Sequence, residues 1–123
     1  TTFRRSSMSS KSLNGASISA IILSILQNGD SYGYDIINQV RQRSGEQIEW
    51  KAGSLYPVMH RMQTNGWIED YWHEPEGERR RRYYRITPKG GKALEKERQK
   101  WMMFHNLLTG LWEEAGMEPG ATR

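Results

Sequence analysis

The hydrophobic spacing of this chain changes period at Gly66 and changes back at Thr87. Upstream of Gly66, apolar residues recur at three- and four-residue intervals, which places them on single helical faces. Trp67 to Ile86 instead reads as two aromatic-rich extended runs separated by a segment holding Pro75 and Gly77. Thr87-Pro88 then restores the helical period with a hydroxyl cap followed by a proline in the first turn. Few small folds accommodate helices, one hairpin and a terminal helix in that order.

The first helix spans Ser17 to Gln27, with Ile18, Ile21, Ile22, Ile25 and Leu26 on one stripe. Leu13 to Ala16 can extend it backwards, weakened by Gly15. Asn28-Gly29-Asp30 ends it. Asp30 or Ser31 is expected to cap a second helix running to about Arg43, with Tyr32, Ile36, Ile37 and Val40 inward. Gly33 is expected to admit another helix at close range. Gln47 to Trp50 reads as a one-bridge strand.

The third helix, 53–66, is the candidate working element. Leu55, Met59 and Met62 share its inner face. Ser54, Tyr56, Pro57, His60, Arg61 and Gln63 occupy the outer arc, which has no carboxylate. Pro57 is expected near the first turn, and Gly66 is expected to close the helix as a left-handed cap. A solvated surface helix has the same pattern, so this segment alone leaves both readings open.

Trp67 to Trp72 and Arg81 to Ile86 form the two strands of the hairpin, and 73–80 its turn. Alternation places Arg82, Tyr84 and Ile86 on one side and Arg81, Tyr83 and Arg85 on the other. Arg79, Arg80, Arg81 and Arg82 crowd like charges together, which Glu76 and Glu78 offset in part. An arginine run can protect an edge strand from aggregation. It can also meet phosphate or a narrow, electronegative minor groove, and its place after a helix-turn-helix pattern favours that second use.

The last helix runs from Pro88 to about Ala115. Leu94, Trp101 and Leu108 recur at heptad spacing, with Phe104 and Leu111 between, a seam for a second chain. Only 36% of the 123 residues are hydrophobic and the mean hydropathy is −0.84, lean for a monomer that must bury a core alone. A homodimer is therefore expected. Its interface is assigned to Ile18, Ile22, Leu94, Trp101, Phe104, Leu108 and Leu111.

These readings combine into a mainly α chain with a small β-hairpin: a winged helix-turn-helix plus a long C-terminal dimerisation helix. The expected divisions are a flexible arm at 1–12, the winged domain at 13–87, the dimerisation helix at 88–115 and a tail at 116–123. The arm is basic and can touch phosphate. A net charge of +4 favours a polyanionic partner. Cysteine is absent and the three histidines are widely spaced, so no cofactor or metal is expected. No apolar run reaches the roughly 18 residues of a membrane helix, and no signal peptide is visible, so the expected compartment is cytoplasmic. No nucleophile–base or phosphate-loop spacing argues for an enzyme.

Three motifs go further. Ser31-Tyr32-Gly33-Tyr34-Asp35-Ile36-Ile37, Gly53-Ser54-Leu55-Tyr56-Pro57, and Arg82-Tyr83-Tyr84-Arg85-Ile86-Thr87 followed by Gly90 together resemble the PadR family of bacterial transcriptional regulators. The resemblance covers about Ser17 to Leu111. It departs at the wing, where the family commonly runs Gly-Arg-Pro-Arg-Lys and this chain has Gly77-Glu78-Arg79-Arg80-Arg81-Arg82. The short C-terminal region resembles the compact subfamily. That resemblance implies a homodimeric repressor, with the last helix of one subunit on the first helix of the other. It also implies that a small aromatic or drug-like compound can relieve repression.

On this reading Ser54, Tyr56, Pro57, His60, Arg61 and Arg79 to Arg82 bind a pseudo-palindromic double-stranded DNA operator. Arg61 can read guanine or hold phosphate, and Ser54, Tyr56 and His60 can do either job. Trp101, Phe104 and His105 are the candidate ligand-binding residues. Trp101 can equally be simple dimer packing. The regulated operon is expected nearby and of efflux or detoxification type. The competing reading is a winged-helix protein-interaction module without DNA binding, which predicts an unremarkable charge on the helix and hairpin surface.

Overall fold

The computed structural model describes residues 15–117. The expected arm at 1–12, residues 13–14, and 118–123 of the tail lie outside the described residues. Four helices and three short strands follow in the order α1 (Gly15–Gln27), β1 (Ser31–Tyr32), α2 (Gly33–Arg43), α3 (Ala52–Thr64), β2 (Ile68–His73), β3 (Arg81–Ile86) and α4 (Pro88–Glu114). This is the expected mainly helical architecture with its hairpin. The hairpin has gained a third strand, giving an antiparallel sheet ordered β1-β3-β2.

The core forms where the inward faces of α1, α2 and α3 meet the sheet. Ile22, Leu23, Leu26, Ile36, Leu55, Met59 and Met62 are its most deeply buried large side chains. All but Leu23 fall on the helical stripes read from their spacing; Leu23 is buried beside the expected α1 stripe, whereas Ile21 within it is only half-buried. Ile68 and Tyr84 close the core from the sheet side, and Leu94 from α4.

Three local expectations need correction. Neither Asp30 nor Ser31 caps α2: its N-cap is Tyr32, without a side-chain hydrogen bond. Ser31 and Tyr32 pair instead with Tyr84 and Tyr83 on β3, and the Ser31 hydroxyl donates to Asp35 at 2.6 Å. Pro57 lies inside α3, in its second turn. Lacking an N–H, it leaves the carbonyl of exposed Gly53 without its usual intrahelical donor. Finally, Ile18, Ile22 and Leu94, assigned to the dimer interface, are already buried in the core of a single chain.

The end of α3 and the start of α4 are joined tightly. Gly66 has φ +78°. Trp67 N–H donates to Met62 C=O and Gly66 N–H to Gln63 C=O, both at 2.9 Å. This is the paired closure of a left-handed helix end. Thr87 caps α4, with Pro88 in the first turn. A Cβ on Gly90 would strike the Trp67 carbonyl and lie 2.9 Å from Ile86 Cγ1, so only glycine lets α4 start this close to β2.

Candidate nucleic-acid interface

Burial of Leu55, Val58, Met59 and Met62 fixes the roll of α3. Ser54, Tyr56, Pro57, His60 and Arg61 are all exposed as expected, and Thr64 shares their arc. The helix has no acidic residue in its first turn and a basic residue in its last. Its outer face thus offers hydroxyls, an imidazole and a guanidinium to an anionic partner.

The structure divides these residues between two flanks. Tyr56 leans towards α2, where its ring occupies the space that a side chain at Gly33 would need. This is the close approach expected of Gly33. Tyr56 and Gly33 share a cleft of about 390 Å³ with Tyr32, Tyr34 and Arg79 to Arg82. The outer face of α3 and the arginine run are therefore brought to one surface. Arg61 sits on the other flank, beside a separate cleft of about 540 Å³ lined also by Ser19, Leu23, Val58, Met62 and Glu97.

Tyr34 is a member of this surface that sequence reasoning missed. It is 67% exposed and stands in the first turn of α2. Its signal was weak, because an aromatic beside three buried-type positions reads as core.

Arg80, Arg81, Arg82 and Arg85 of the wing are held, not merely crowded. Arg82 pairs with Asp70 at 3.1 Å, Arg81 with Glu78 at 3.7 Å and Arg85 with Glu69 at 3.5 Å. Glu78 acts as expected, but the other carboxylates come from β2 and not from Glu76. Aromatic faces share the load. Arg81 lies 4.3 Å from the Tyr32 ring centre, Arg85 4.9 Å from Tyr71, and Arg80 and Arg82 4.7 and 5.2 Å from Trp72. Solvent-exposed pairs of this kind contribute about 0–1 kcal/mol each, so a phosphate can replace a carboxylate at little cost.

On the outer face of the sheet, Tyr32, Tyr71, Tyr83 and His73 form a ring cluster. Tyr83 meets Tyr32 edge-on at 5.2 Å, stacks on Tyr71 at 6.0 Å and meets His73 at 5.0 Å. Tyr71 donates to Asp30 at 2.6 Å. That hydrogen bond, with burial second, raises the Tyr71 hydroxyl above the usual phenol range. Burial does the same for Tyr83 and Tyr84. All three stay neutral donors at physiological pH.

Beyond Leu94, the apolar residues of α4 are left uncovered. Trp101, Phe104 and Leu111 are 48%, 50% and 53% exposed, and Leu108 is half-buried. Trp101 and Phe104 meet edge-on at 6.3 Å. Trp101 lines an apolar cleft of about 520 Å³ with Ala20, Ile21, Ile25, Val40 and Ile48. Phe104 and His105 do not line it. The walls of this cleft come from one chain, α1, the end of α2 and α4, not only from a junction between subunits.

Among the described residues, no cluster of His, Cys, Asp or Glu could hold a metal ion, and no helix is long and apolar enough to cross a membrane. The family model of the PadR-like transcriptional regulators matches residues 22–96. The chain belongs to the PadR family. PadR family members are transcription regulators, not enzymes, and they bind DNA and typically dimerise. Solved structures agree. A transcriptional regulator from Clostridium thermocellum is 36% identical, with 76% of this chain and 90% of that one covered and a TM-score of 0.67. A PadR family transcription regulator from Clostridium difficile is 34% identical, with 76% and 96% covered and a TM-score of 0.68. A PadR-like transcriptional regulator from Bacillus cereus is 30% identical, with 83% and 96% covered and a TM-score of 0.71.

Proposed function

We propose that this PadR family regulator is a cytoplasmic homodimeric repressor of a nearby operon of efflux or detoxification type. Two copies of α3 would enter successive major grooves of a pseudo-palindromic operator, about 34–36 Å apart. Ser54, Tyr56, Pro57, His60 and Arg61 meet the bases and their phosphates, and Arg79 to Arg82 meet the backbone beside them. The observation that carries this reading is the shared cleft of Tyr56 and the four arginines. It joins an acid-free helix face to a cationic wing, the two parts a duplex contacts together.

The open apolar length of α4 supports pairing with a second chain through Trp101, Phe104, Leu108 and Leu111. The cleft beside Trp101 supports binding of a flat, small aromatic effector. Such a ligand relieves repression only if it prefers one separation of the two α3 helices over another.

Binding to duplex DNA measured over a salt series tests the proposal. Replacing Arg81 and Arg82 with Ala should weaken binding to every sequence and lower the salt slope by about 0.9 per lost phosphate contact. Equal slopes in variant and parent would remove the wing from the interface. Ser54→Ala or His60→Ala should instead change sequence preference, and a uniform loss across operators would reduce both to positioning contacts.

A further inference from the structure

Among the described residues of the wing, one large ring is more than half exposed. Trp72 lies next to the end of β2, directly opposite Arg82 in the register, and is 53% exposed. The guanidinium carbons of Arg80 and Arg82 lie 4.7 and 5.2 Å from its ring centre. Two cations therefore share one indole. The carboxylate of Asp70 reaches Arg82 at 3.1 Å and is the one anion paired with either of them among the described residues. The group keeps a net positive charge, and Arg79 beside it makes no ion pair or ring contact among the described residues.

A guanidinium stacked on an indole is held through its face, while the N–H groups around its edge stay free to donate. Those edge donors match phosphate oxygens. Unsupported, two long side chains with like charges would diverge and lose rotamer freedom on binding. An exposed tryptophan alone would equally suit a protein partner. Two arginines against a single carboxylate favour a polyanion instead.

We propose that Trp72 is the positioning residue of the wing, and that its indole holds Arg80 and Arg82 as one pre-ordered cationic unit for the phosphates of duplex DNA. This rests on the DNA-binding reading above and assigns the wing's order to a residue without charge of its own.

The test uses the full chain and a fluorescein-labelled mixed-sequence duplex about two helical turns long, with anisotropy read over a salt series. Trp72→Leu should bind roughly ten-fold more weakly, with an unchanged salt slope, because no charge is lost. Trp72→Phe should stay within about two-fold of the parent, since a ring remains. The pair Arg80→Ala/Arg82→Ala should lower the slope by about 2, and adding Trp72→Leu to that pair should weaken binding no further. Arg80→Lys/Arg82→Lys leaves Trp72 in place and keeps both charges. It should reproduce the Trp72→Leu loss at constant slope, which keeps the proposal testable if Trp72→Leu folds poorly. Additive losses, a lowered slope in Trp72→Leu, or parent-like binding by the lysine pair would overturn the proposal while leaving DNA binding intact. A parent chain that ignores the duplex at low ionic strength would overturn both.

Discussion

The hydroxyl of Thr87 donates to the carbonyl of Gly66 at 2.6 Å and accepts from the amide of Gly90 at 3.0 Å. One side chain thus ties the end of α3 to the beginning of α4. Thr87→Val keeps the shape and loses both hydrogen bonds. It should cost about 1–2 kcal/mol of stability in urea unfolding, and Thr87→Ser should recover most of that loss. A valine variant as stable as the parent would show that this joint is held by packing alone.

Leu94 and Leu111 share a helix but do different work. Leu94 is buried in the core of its own chain and Leu111 is 53% exposed. Leu94→Ala should lower folding stability by about 2–5 kcal/mol. Leu111→Lys should leave helicity unchanged and shift the sedimentation coefficient from dimer to monomer. An unaltered coefficient would place the pairing surface elsewhere on the molecule.

Tyr71 gives a pH signature. Its hydroxyl is raised from the ordinary value of 10.0, first by the hydrogen bond to Asp30 and then by burial. A raised folded-state pKa adds stability that is complete below the unfolded value and fades as pH climbs through the folded one. Tyr71→Phe should therefore be less stable than the parent at neutral pH and decline less steeply above about pH 10. Tyr83 and Tyr84 are raised too, so part of the alkaline decline should persist. Parallel curves for parent and variant would dismiss the Asp30 contact.

Trp101 can be probed by light. A planar aromatic probe such as acridine should quench tryptophan emission if it enters the cleft beside Trp101. Trp101→Phe should lose most of that quenching while remaining a dimer. Full quenching in the variant would move the ligand to another site.

Much of this architecture was legible because periodicity reports directly on burial. The α1 stripe, the Gly66 closure and the Thr87-Pro88 start were read from residue types whose local geometry leaves few options. β1 was not legible, because two residues show no alternation and Ser31 beside Gly33 imitates a helix cap. The heptad through Leu94, Trp101 and Leu108 was read as one seam. The structure buries Leu94 in the core and leaves Trp101 exposed, because where the domain ends along a helix is a tertiary fact. The site was partly legible for the same reason. Exposure of Ser54, His60 and Arg61 followed from the buried stripe, whereas the flank on which Arg61 falls depends on α1 and α4. Tyr34 and Trp72 carried only a weak sequence signal, since an aromatic in a helix or strand is ordinarily core.

The pairing of Ser31 and Tyr32 with Tyr84 and Tyr83 has a mechanical meaning. It stitches the hairpin to the root of α2, whose Gly33 is in turn filled by the ring of Tyr56. A wing fastened at two points has little play of its own. On the function proposed here, a signal that releases DNA would move α2, α3 and the wing together as one block.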